Sequence, residues 1–247
     1  MVAFLLSAFQ TNTSALVCRS MEFPIRINKY LAHQGIASRR EADQLIADGL
    51  VHLNHKVAKL GDVVNETDRV VVSKLVEEKQ HEYYAYHKPF GVISVTSDGG
   101  DESIAERIAH DHDLHNVFPI GRLDKNSTGL IILTNDGRIT SQVLDPKNKH
   151  EKEYEVSVNK TLKENFKRLM ERGVDIEGYT TKPCTVKVTG QKSFRIILTE
   201  GKRHQIRRMC MNLGYTVEKL KRVRIGKLTL GNLKSGEVWE LSLDEIK

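Results

Sequence analysis

The chain has 247 residues, of which 39% are hydrophobic and 28% charged, and its formal net charge at neutral pH is +6. This composition is typical of a folded globular protein rather than a disordered one, and the excess of Lys and Arg favours a polyanionic partner such as nucleic acid. No apolar run approaches the ~20 residues that a membrane-spanning helix needs, so we expect no membrane partner. The cysteines, Cys18, Cys184 and Cys210, form no Cys-x-x-Cys pair, which indicates a reducing cytoplasm rather than a disulfide framework or zinc ribbon.

Residues 1–24 differ in pattern from the rest of the chain. Val2 to Phe9 is mostly apolar, but no basic residue precedes it, as one does in a secretory signal. We therefore expect an N-terminal extension without fixed structure, and Met21 is a candidate start of the chain.

Residues 25–72 have the pattern of a small module with helices and a hairpin. Ser38 and Glu41 have the spacing of a capping box, which predicts a helix that begins there and ends at Gly49. Alternating residues on either side of Asn54-His55 predict a β-hairpin. Gly would suit the second turn position better than His55, because a left-handed backbone is costly for a residue with a Cβ.

Basic residues cluster at the helix starts of this module. Lys29, Arg39 and Arg40 could contact phosphates, which the helix dipole also favours, or they could form a solvated helix end. The fuller pattern, 26–31 (RINKYL), 35–42 (GIASRREA) and 51–54 (VHLN), resembles the S4 RNA-binding domain. The resemblance implies RNA contact by Arg26, Lys29, Ser38, Arg39 and Arg40.

Residues 73–82 are charged, lack an apolar period and read as a linker, and residues 83–247 form a larger unit. Its predicted strands are Tyr83–His87, Leu130–Thr134, Tyr154–Val158, Phe194–Thr199 and Val238–Leu241. Its predicted helices are Ser103–His110, Gly137–Leu144, Leu162–Arg172 and His204–Leu213. The absence of a steady βαβ rhythm favours an α+β fold with a mixed or antiparallel sheet.

A loop that holds Arg122 and Asp124, with an apolar strand directly after it, is the first candidate for chemistry. Such a pair could simply stiffen a turn, or it could carry catalytic groups on a loop supported by a rigid element. The whole segment 118–137 (FPIGRLDKNSTGLIILTNDG) resembles the signature of pseudouridine synthases of the RsuA/RluA type. The resemblance implies that Asp124 is the nucleophile and that Arg122 fills the space left by a flipped base.

Further segments resemble the remaining motifs of that family. In 151–156 (EKEYEV), Tyr154 takes the position that packs on the reacting base, although unaided it reads as an ordinary strand aromatic. In 198–209 (LTEGKRHQIRRM), Arg207 takes the position that pairs with the catalytic Asp and keeps it ionised, while Arg203 and Arg208 read as part of a basic, RNA-facing helix. In 219–222 (KLKR), Leu220 takes the position that packs against the Tyr.

An S4 domain with this catalytic unit after it indicates the RsuA/RluB/RluE/RluF family, and segments 150–154 and 207–215 look most like its RluF branch. The resemblance implies isomerisation of uridine to pseudouridine in ribosomal RNA, with the large subunit favoured. Because this reaction gains and loses no atoms, we expect no cofactor or metal. Nothing in the sequence suggests a large exposed apolar interface, so we also expect a monomer. A small-subunit ribosomal RNA or a transfer RNA stem-loop is an alternative target. A non-catalytic ribosome-assembly factor is an alternative of another class, but it would be expected to lack Asp124, Tyr154 or Arg207.

His110, His112 and His115, with Asp111 and Asp113, raise the question of a metal site. Their spacing matches no established zinc pattern, so we interpret them as solvated histidines of a polar loop.

Overall fold

The computed structural model describes residues 23–73, 80–96, 100–144 and 150–246. The chain divides into two compact units, Met1–Glu77 and Glu78–Lys247. Of the predicted extension only residues 23 and 24 are described, and residues 74–79 of the predicted linker also lie outside the described part.

The first unit has two helices, α1 (Ile27–His33) and α2 (Arg39–Ala47). Its strands are β1 (Ile25–Arg26), β2 (Val51–Leu53), β3 (Lys56–Val57), β4 (Val63–Val64) and β5 (Val70–Val72). They form a sheet of order β3-β2-β5 and a separate β1-β4 pair. Apolar residues of both helices and of the strands make one core, and Phe23 packs against it.

Local signals in this unit match the structure. Ser38 Oγ accepts from the Glu41 backbone N–H at 3.3 Å, and Glu41 Oε2 accepts from the Ser38 backbone N–H at 2.8 Å, so the predicted capping box is confirmed. The predicted hairpin joins β2 and β3, and its turn residues Asn54 and His55 both have positive φ, 49° and 69°. The backbone therefore imposes on His55 the left-handed conformation that Gly would adopt more easily.

The second unit is built on a large sheet with helices on its faces. Its helices are α3 (Ile104–His112), α4 (Arg138–Leu144), α5 (Phe166–Glu171), α6 (Gln205–Asn212) and α7 (Leu243–Ile246). Its strands are β6 (Tyr83–Lys88), β7 (Phe118–Ile120), β8 (Thr128–Thr134), β9 (Lys152–Val158), β10 (Thr185–Gly190), β11 (Ser193–Leu198), β12 (Val217–Ile225), β13 (Leu228–Thr229) and β14 (Val238–Glu240).

The main path of the sheet runs β10-β11-β9-β12-β8-β6-β14, with β7 paired to β8 and β13 to β12. Among the described strands, β12 and β8 are the parallel pair and the others pair in antiparallel fashion. The predicted α+β class with a mixed sheet is confirmed. The helix expected over Leu162–Arg172 begins only at Phe166.

Side chains of β8 are buried on both faces of the sheet. Ile131 and Leu133 pack with residues of α3, whereas Leu130 and Ile132 pack with residues of α4 on the opposite side. The two-residue period of a strand sends successive side chains to opposite faces, which explains this division. A separate core lies where α5 and α6 pack on β9, β11 and β12.

Gly129 allows the parallel junction between β8 and β12. The register pairs Thr128 with Lys221 and Gly129 with Arg222. A Cβ on Gly129 would lie 2.2 Å from the Arg222 carbonyl oxygen, and the φ of Gly129 is +108°. Glycine is therefore required where the half of the sheet with β6 and β8 meets the half with β9 and β12.

Across the described part of the chain, every helix is too short or too polar to span a lipid bilayer.

Candidate active site

Asp124 lies in the loop between β7 and β8, and hydrogen bonds hold that loop on both sides of it. The buried Ser94 hydroxyl donates to the Leu123 carbonyl at 2.7 Å and accepts from the Leu123 N–H at 2.8 Å. After Asp124 the chain turns, and the Ser127 N–H donates to the Asp124 carbonyl at 2.9 Å. The Asp124 side chain is 37% exposed rather than buried, so a ligand in solvent can reach its carboxylate.

Lys88, the last residue of β6, lies buried beneath this loop. Its Nζ donates to the carbonyls of Pro89 at 2.8 Å, Val92 at 2.6 Å and Lys125 at 3.5 Å. Burial lowers the pKa of the Lys88 ammonium to about 8, and the negative charge of Asp124 acts in the opposite direction. A fully buried cation thus adds positive potential close to the Asp124 carboxylate.

Arg207 braces the same loop from α6. Its Nη2 donates to the Asn126 carbonyl at 2.7 Å and to Ser127 Oγ at 3.3 Å, and its Nη1 donates to the Val217 carbonyl at 3.1 Å. Among the described residues Asp124 forms its ion pair with His204 rather than with Arg207, so the expected direct pairing with Arg207 is not formed here and stays a prediction. The Arg207 guanidinium donates instead to residues directly after Asp124 and to the start of β12. Its planar fork of N–H donors allows one side chain to join these two segments.

His204 is the basic side chain that contacts the Asp124 carboxylate. Its Nε2 lies 3.4 Å from Asp124 Oδ1, a contact that becomes an ion pair when the imidazole is protonated. His204 has a φ of 52° at the N-cap of α6, and this left-handed turn directs the helix start toward the Asp124 loop. Because His204 and Arg207 are three residues apart, they face the same way and meet successive parts of that loop.

A buried carboxylate fixes the turn that carries His204. Glu200 Oε1 accepts from Gln205 Nε2 at 2.8 Å and from the Lys182 N–H at 2.9 Å. Glu200 Oε2 accepts from the Tyr179 hydroxyl at 2.7 Å. The chain before α6 is thus held by polar contacts with the segment around residues 179–182, which limits its freedom to move away from Asp124.

Tyr154 and Leu220 lie on neighbouring strands of the same sheet. Tyr154 is partly buried, is the cross-strand neighbour of Ile196 and Arg222, and packs against the apolar cluster that contains Leu220. Leu220 itself is 7% exposed. Arg122 is exposed, and its side chain forms no ion pair with any described residue. The second unit thus contains every residue predicted for catalysis and for holding the base: Asp124, Tyr154, Arg207, Arg122 and Leu220.

The predicted RNA-contact residues of the first unit lie at its helix starts. Arg26 is the N-cap of α1 and Lys29 lies in its first turn, while Arg39 and Arg40 open α2; the four side chains are exposed. Within the described part of the chain none of these four cations forms an ion pair. Ser38 uses its hydroxyl oxygen in the helix cap, which gives it a structural function besides the predicted RNA contact.

The described residues contain no group of His, Cys, Asp and Glu side chains arranged to hold a metal ion. His110 and His112 belong to the last turn of α3 rather than to a loop. His112 Nε2 lies 2.7 Å from the Gly236 carbonyl, while His110 and His115 lie 2.7 Å from Asp111 and Asp113. Each of these imidazoles already has a local partner.

Sequence reasoning missed Lys88, Ser94 and His204. Lys88 and Ser94 precede the Asp124 loop by about 30 residues, and no local pattern marks a buried lysine or a serine that bonds a distant backbone. His204 lies inside a motif whose arginines carry the family resemblance, and nothing in that motif marks the histidine as a contact of Asp124. The signal for it was its place directly before the helix, where a left-handed residue turns the chain.

The model of the RNA pseudouridylate synthase family matches residues 82–212, and that of the S4 domain matches residues 25–70. The chain belongs to the RNA pseudouridylate synthase family. It is an enzyme that forms pseudouridine in RNA and carries an N-terminal S4 RNA-binding domain.

Individual relatives agree with this assignment. The chain is 46% identical over 226 residues to "Dual-specificity RNA pseudouridine synthase RluF" of Escherichia coli strain K12, covering 90% of this chain and 77% of the relative. It is 36% identical to "Ribosomal large subunit pseudouridine synthase B" of Bacillus subtilis strain 168, covering 90% and 94% of the two chains. A crystal structure of a pseudouridylate synthase superposes with a TM-score of 0.67 at 28% identity, covering 90% of this chain and 98% of that one.

Proposed function

We propose that this synthase isomerises a uridine of large-subunit ribosomal RNA, with Asp124 as the nucleophile and with the target base flipped out of its stack. The observation that carries the proposal is the setting of Asp124. Its carboxylate is open to solvent, Ser94 and Arg207 hold the loop on either side, and His204 lies 3.4 Å away. A rigidly held but accessible carboxylate is suited to attack a bound group.

The chemistry balances within one nucleotide. The bond between uracil N1 and the ribose breaks, the base turns, and C5 joins the same ribose carbon; a proton leaves C5 and N1 gains one. No atom or electron enters or leaves overall, so the reaction itself calls for no redox cofactor or ATP. A carboxylate can form a covalent intermediate and be released from it, which is the part assigned to Asp124.

Base flipping needs compensation. Taking the uridine out of its stack costs on the order of a few kcal/mol. Tyr154 can stack on the flipped base, an interaction worth roughly 1–3 kcal/mol, and Leu220 lies in the apolar cluster behind it. Arg122 is exposed and has no ion-pair partner among the described residues. Its side chain can therefore fill the position in the RNA stack that the flipped base has left.

Names of relatives support the choice of RNA. The Bacillus subtilis relative is a large-subunit ribosomal enzyme by name, and the Escherichia coli relative is named for dual specificity. We therefore favour a large-subunit uridine as the main target, and a second RNA, such as a transfer RNA stem-loop, as a further one. An enzyme with these targets works in the cytoplasm, and we expect it to act as a monomer.

The S4 unit supplies contacts to RNA phosphates in this proposal. Arg26, Lys29, Arg39 and Arg40 are exposed at helix starts, where backbone N–H groups and the dipole also favour anions. Contacts of this kind position an RNA without reading its sequence.

Pseudouridine mapping of total RNA tests the proposal. We expect a strain that lacks the gene to lose pseudouridine at a large-subunit site, and the gene for the wild-type chain, but not for Asp124→Asn, to restore it. Loss confined to small-subunit ribosomal RNA or transfer RNA would contradict the choice of target. Restoration by Asp124→Asn would contradict the nucleophile.

A further inference from the structure

Phe90 is an aromatic side chain that the second unit holds in solvent. It is 66% exposed, the largest fraction among the large apolar side chains of the described residues. Single exposed apolar residues are common and need no explanation by themselves. What sets Phe90 apart is how firmly its backbone is held and which loop that backbone is bonded to.

The turn that carries Phe90 is fixed by a buried cation. Lys88 donates to the carbonyl of Pro89 at 2.8 Å and to that of Val92 at 2.6 Å, so one ammonium ties down both flanks of the turn. Proline restricts the backbone directly before Phe90. Gly91, with a φ of +88°, lets the chain reverse directly after it.

The same turn is joined to the loop between β7 and β8 that carries Asp124. The Gly91 N–H donates to the Lys125 carbonyl at 2.9 Å, and Lys88 Nζ lies 3.5 Å from that carbonyl. Phe90 directly precedes Gly91, and Asp124 directly precedes Lys125, so this hydrogen bond holds the backbones of Phe90 and Asp124 close to each other. An aromatic ring with few torsions, on a backbone fixed relative to the nucleophile, loses little conformational entropy when it binds a flat ligand.

The Asp124 loop, to which the Phe90 turn is bonded, carries or contacts basic side chains that suit a nucleic acid. Arg122 is exposed on the Asp124 loop and has no ion-pair partner among the described residues, and His204 contacts Asp124 from the start of α6. Aromatic rings presented among cationic side chains are the usual means of holding single-stranded RNA, because bases stack on the rings while the cations follow the phosphates.

We propose that Phe90 is a stacking platform for an unpaired nucleobase next to the uridine that Asp124 attacks. The proposal rests on the proposed function for the identity of that uridine. Tyr154 is partly buried and is assigned to the target base, whereas Phe90 stands in solvent and receives a neighbour. Every base has a face that can stack, so Phe90 holds the RNA open after flipping rather than reading its sequence.

Substitutions at position 90 separate stacking from general apolar contact. Phe90→Leu keeps an apolar side chain without a ring, and Phe90→Trp keeps a ring. The matched control is Trp239→Leu: Trp239 is 48% exposed and pairs with Ala85, so it faces the side of the sheet opposite to Lys88. Because positions 90 and 239 are exposed, we expect each variant to keep the wild-type circular dichroism spectrum and melting temperature.

Kinetics on transcribed 23S ribosomal RNA give the first readout. We expect Phe90→Leu to lower kcat/KM roughly tenfold, mainly through KM, while Phe90→Trp and Trp239→Leu stay within about threefold of wild type. Equal kcat/KM for Phe90→Leu and wild type would overturn the proposal. A loss in Phe90→Trp as large as that in Phe90→Leu would overturn it as well, because a ring would then have no value.

Direct contact gives a second readout that does not need turnover. Ultraviolet cross-linking of the wild-type chain to the same RNA, with tryptic digestion and mass spectrometry, should place a cross-linked nucleotide on Phe90. If the chain forms no pseudouridine in this RNA but Phe90 cross-links, the proposed target fails and the stacking platform stands. If pseudouridine forms while no cross-link falls on Phe90 and Phe90→Leu is fully active, the platform fails and the proposed function stands.

Discussion

Arg207 holds the Asp124 loop through the Asn126 carbonyl and the Ser127 hydroxyl, and this decides what a substitution of Arg207 should do. Its guanidinium spans the Asn126 carbonyl, Ser127 Oγ and the Val217 carbonyl, while His204 is the basic group in contact with Asp124. A lysine would keep the positive charge but could not reach these acceptors from one planar fork.

We therefore expect Arg207→Lys to lower kcat about 10²-fold, close to the effect of Arg207→Ala, because the Asp124 loop loses its brace in both. Single-turnover assays of pseudouridine formation would measure this. Near-normal activity of Arg207→Lys would show that charge, rather than positioning, is what Arg207 supplies.

Lys88 should make stability depend on pH in the alkaline range. Its pKa is lowered to about 8 by burial, whereas an unfolded lysine titrates near ~10.4. Between these values the unfolded chain binds more protons than the folded chain, so the free energy of unfolding rises with pH through this window.

Relative to Lys88→Met, the wild-type free energy of unfolding should therefore increase from pH 8 to pH 10, by up to about 1.4 kcal/mol per pH unit. Urea unfolding at several pH values measures the difference, with the exposed Lys187 changed to Met as control. Parallel curves for wild type and Lys88→Met would mean that Lys88 keeps an ordinary titration.

At the scale of elements, the pairing of β8 with β12 brings the Asp124 loop next to the strands that carry Tyr154 and Leu220. The loop that carries Asp124 leads into β8, whereas Leu220 lies on β12 and Tyr154 on β9. The parallel pairing of β8 with β12 covers only the register Thr128 with Lys221 and Gly129 with Arg222. Such a short junction cannot absorb an added side chain.

Gly129→Ala should lower stability by roughly 3 kcal/mol and remove most activity, because its Cβ would lie 2.2 Å from the Arg222 carbonyl oxygen at a positive φ. Thermal unfolding and turnover would both report the change. Gly137→Ala is the control, since its Cβ meets nothing within 4 Å. If both variants were equally stable, the close approach of the strands would not be needed.

The start of α2 makes a prediction about binding. Changing Arg39 and Arg40 together to Ala should weaken RNA binding and lower the slope of log K against log salt by about 1 to 2, because two phosphate contacts are lost. Fluorescence anisotropy over a salt series measures it. The control is the exposed pair Lys56 and Lys59 of the same unit, both changed to Ala, which should leave the slope nearer to wild type.

Helices and strands whose apolar residues follow a regular pattern could be predicted from the sequence, and strands without such a pattern could not. The capping box at Ser38 and the apolar run of β8 were enough to predict their elements. Strand β12 was missed because register shifts near residues 217–219 and 222–224 break its alternation and because it carries many charges. Strand β10 was missed because most of its residues are exposed.

On the scale of the whole molecule, motifs predicted which segments meet, but not how they touch. Asp124, Tyr154 and Arg207 come from distant parts of the second unit, and the family resemblance indicated their association. The buried Lys88, the Ser94 bridge and the His204 contact depend on packing between segments that are distant in the sequence, and no local pattern encodes such packing.

In the proposed mechanism the solvent-accessible carboxylate of Asp124 performs the reaction. The most direct test compares Asp124→Asn with Asp113→Asn, which removes a carboxylate that is 94% exposed on the surface of the same unit. Pseudouridine formation in transcribed 23S ribosomal RNA and the affinity for that RNA should be measured together. We predict that Asp124→Asn forms no pseudouridine yet binds with nearly wild-type affinity, while Asp113→Asn stays active. Substantial turnover by Asp124→Asn would contradict the account.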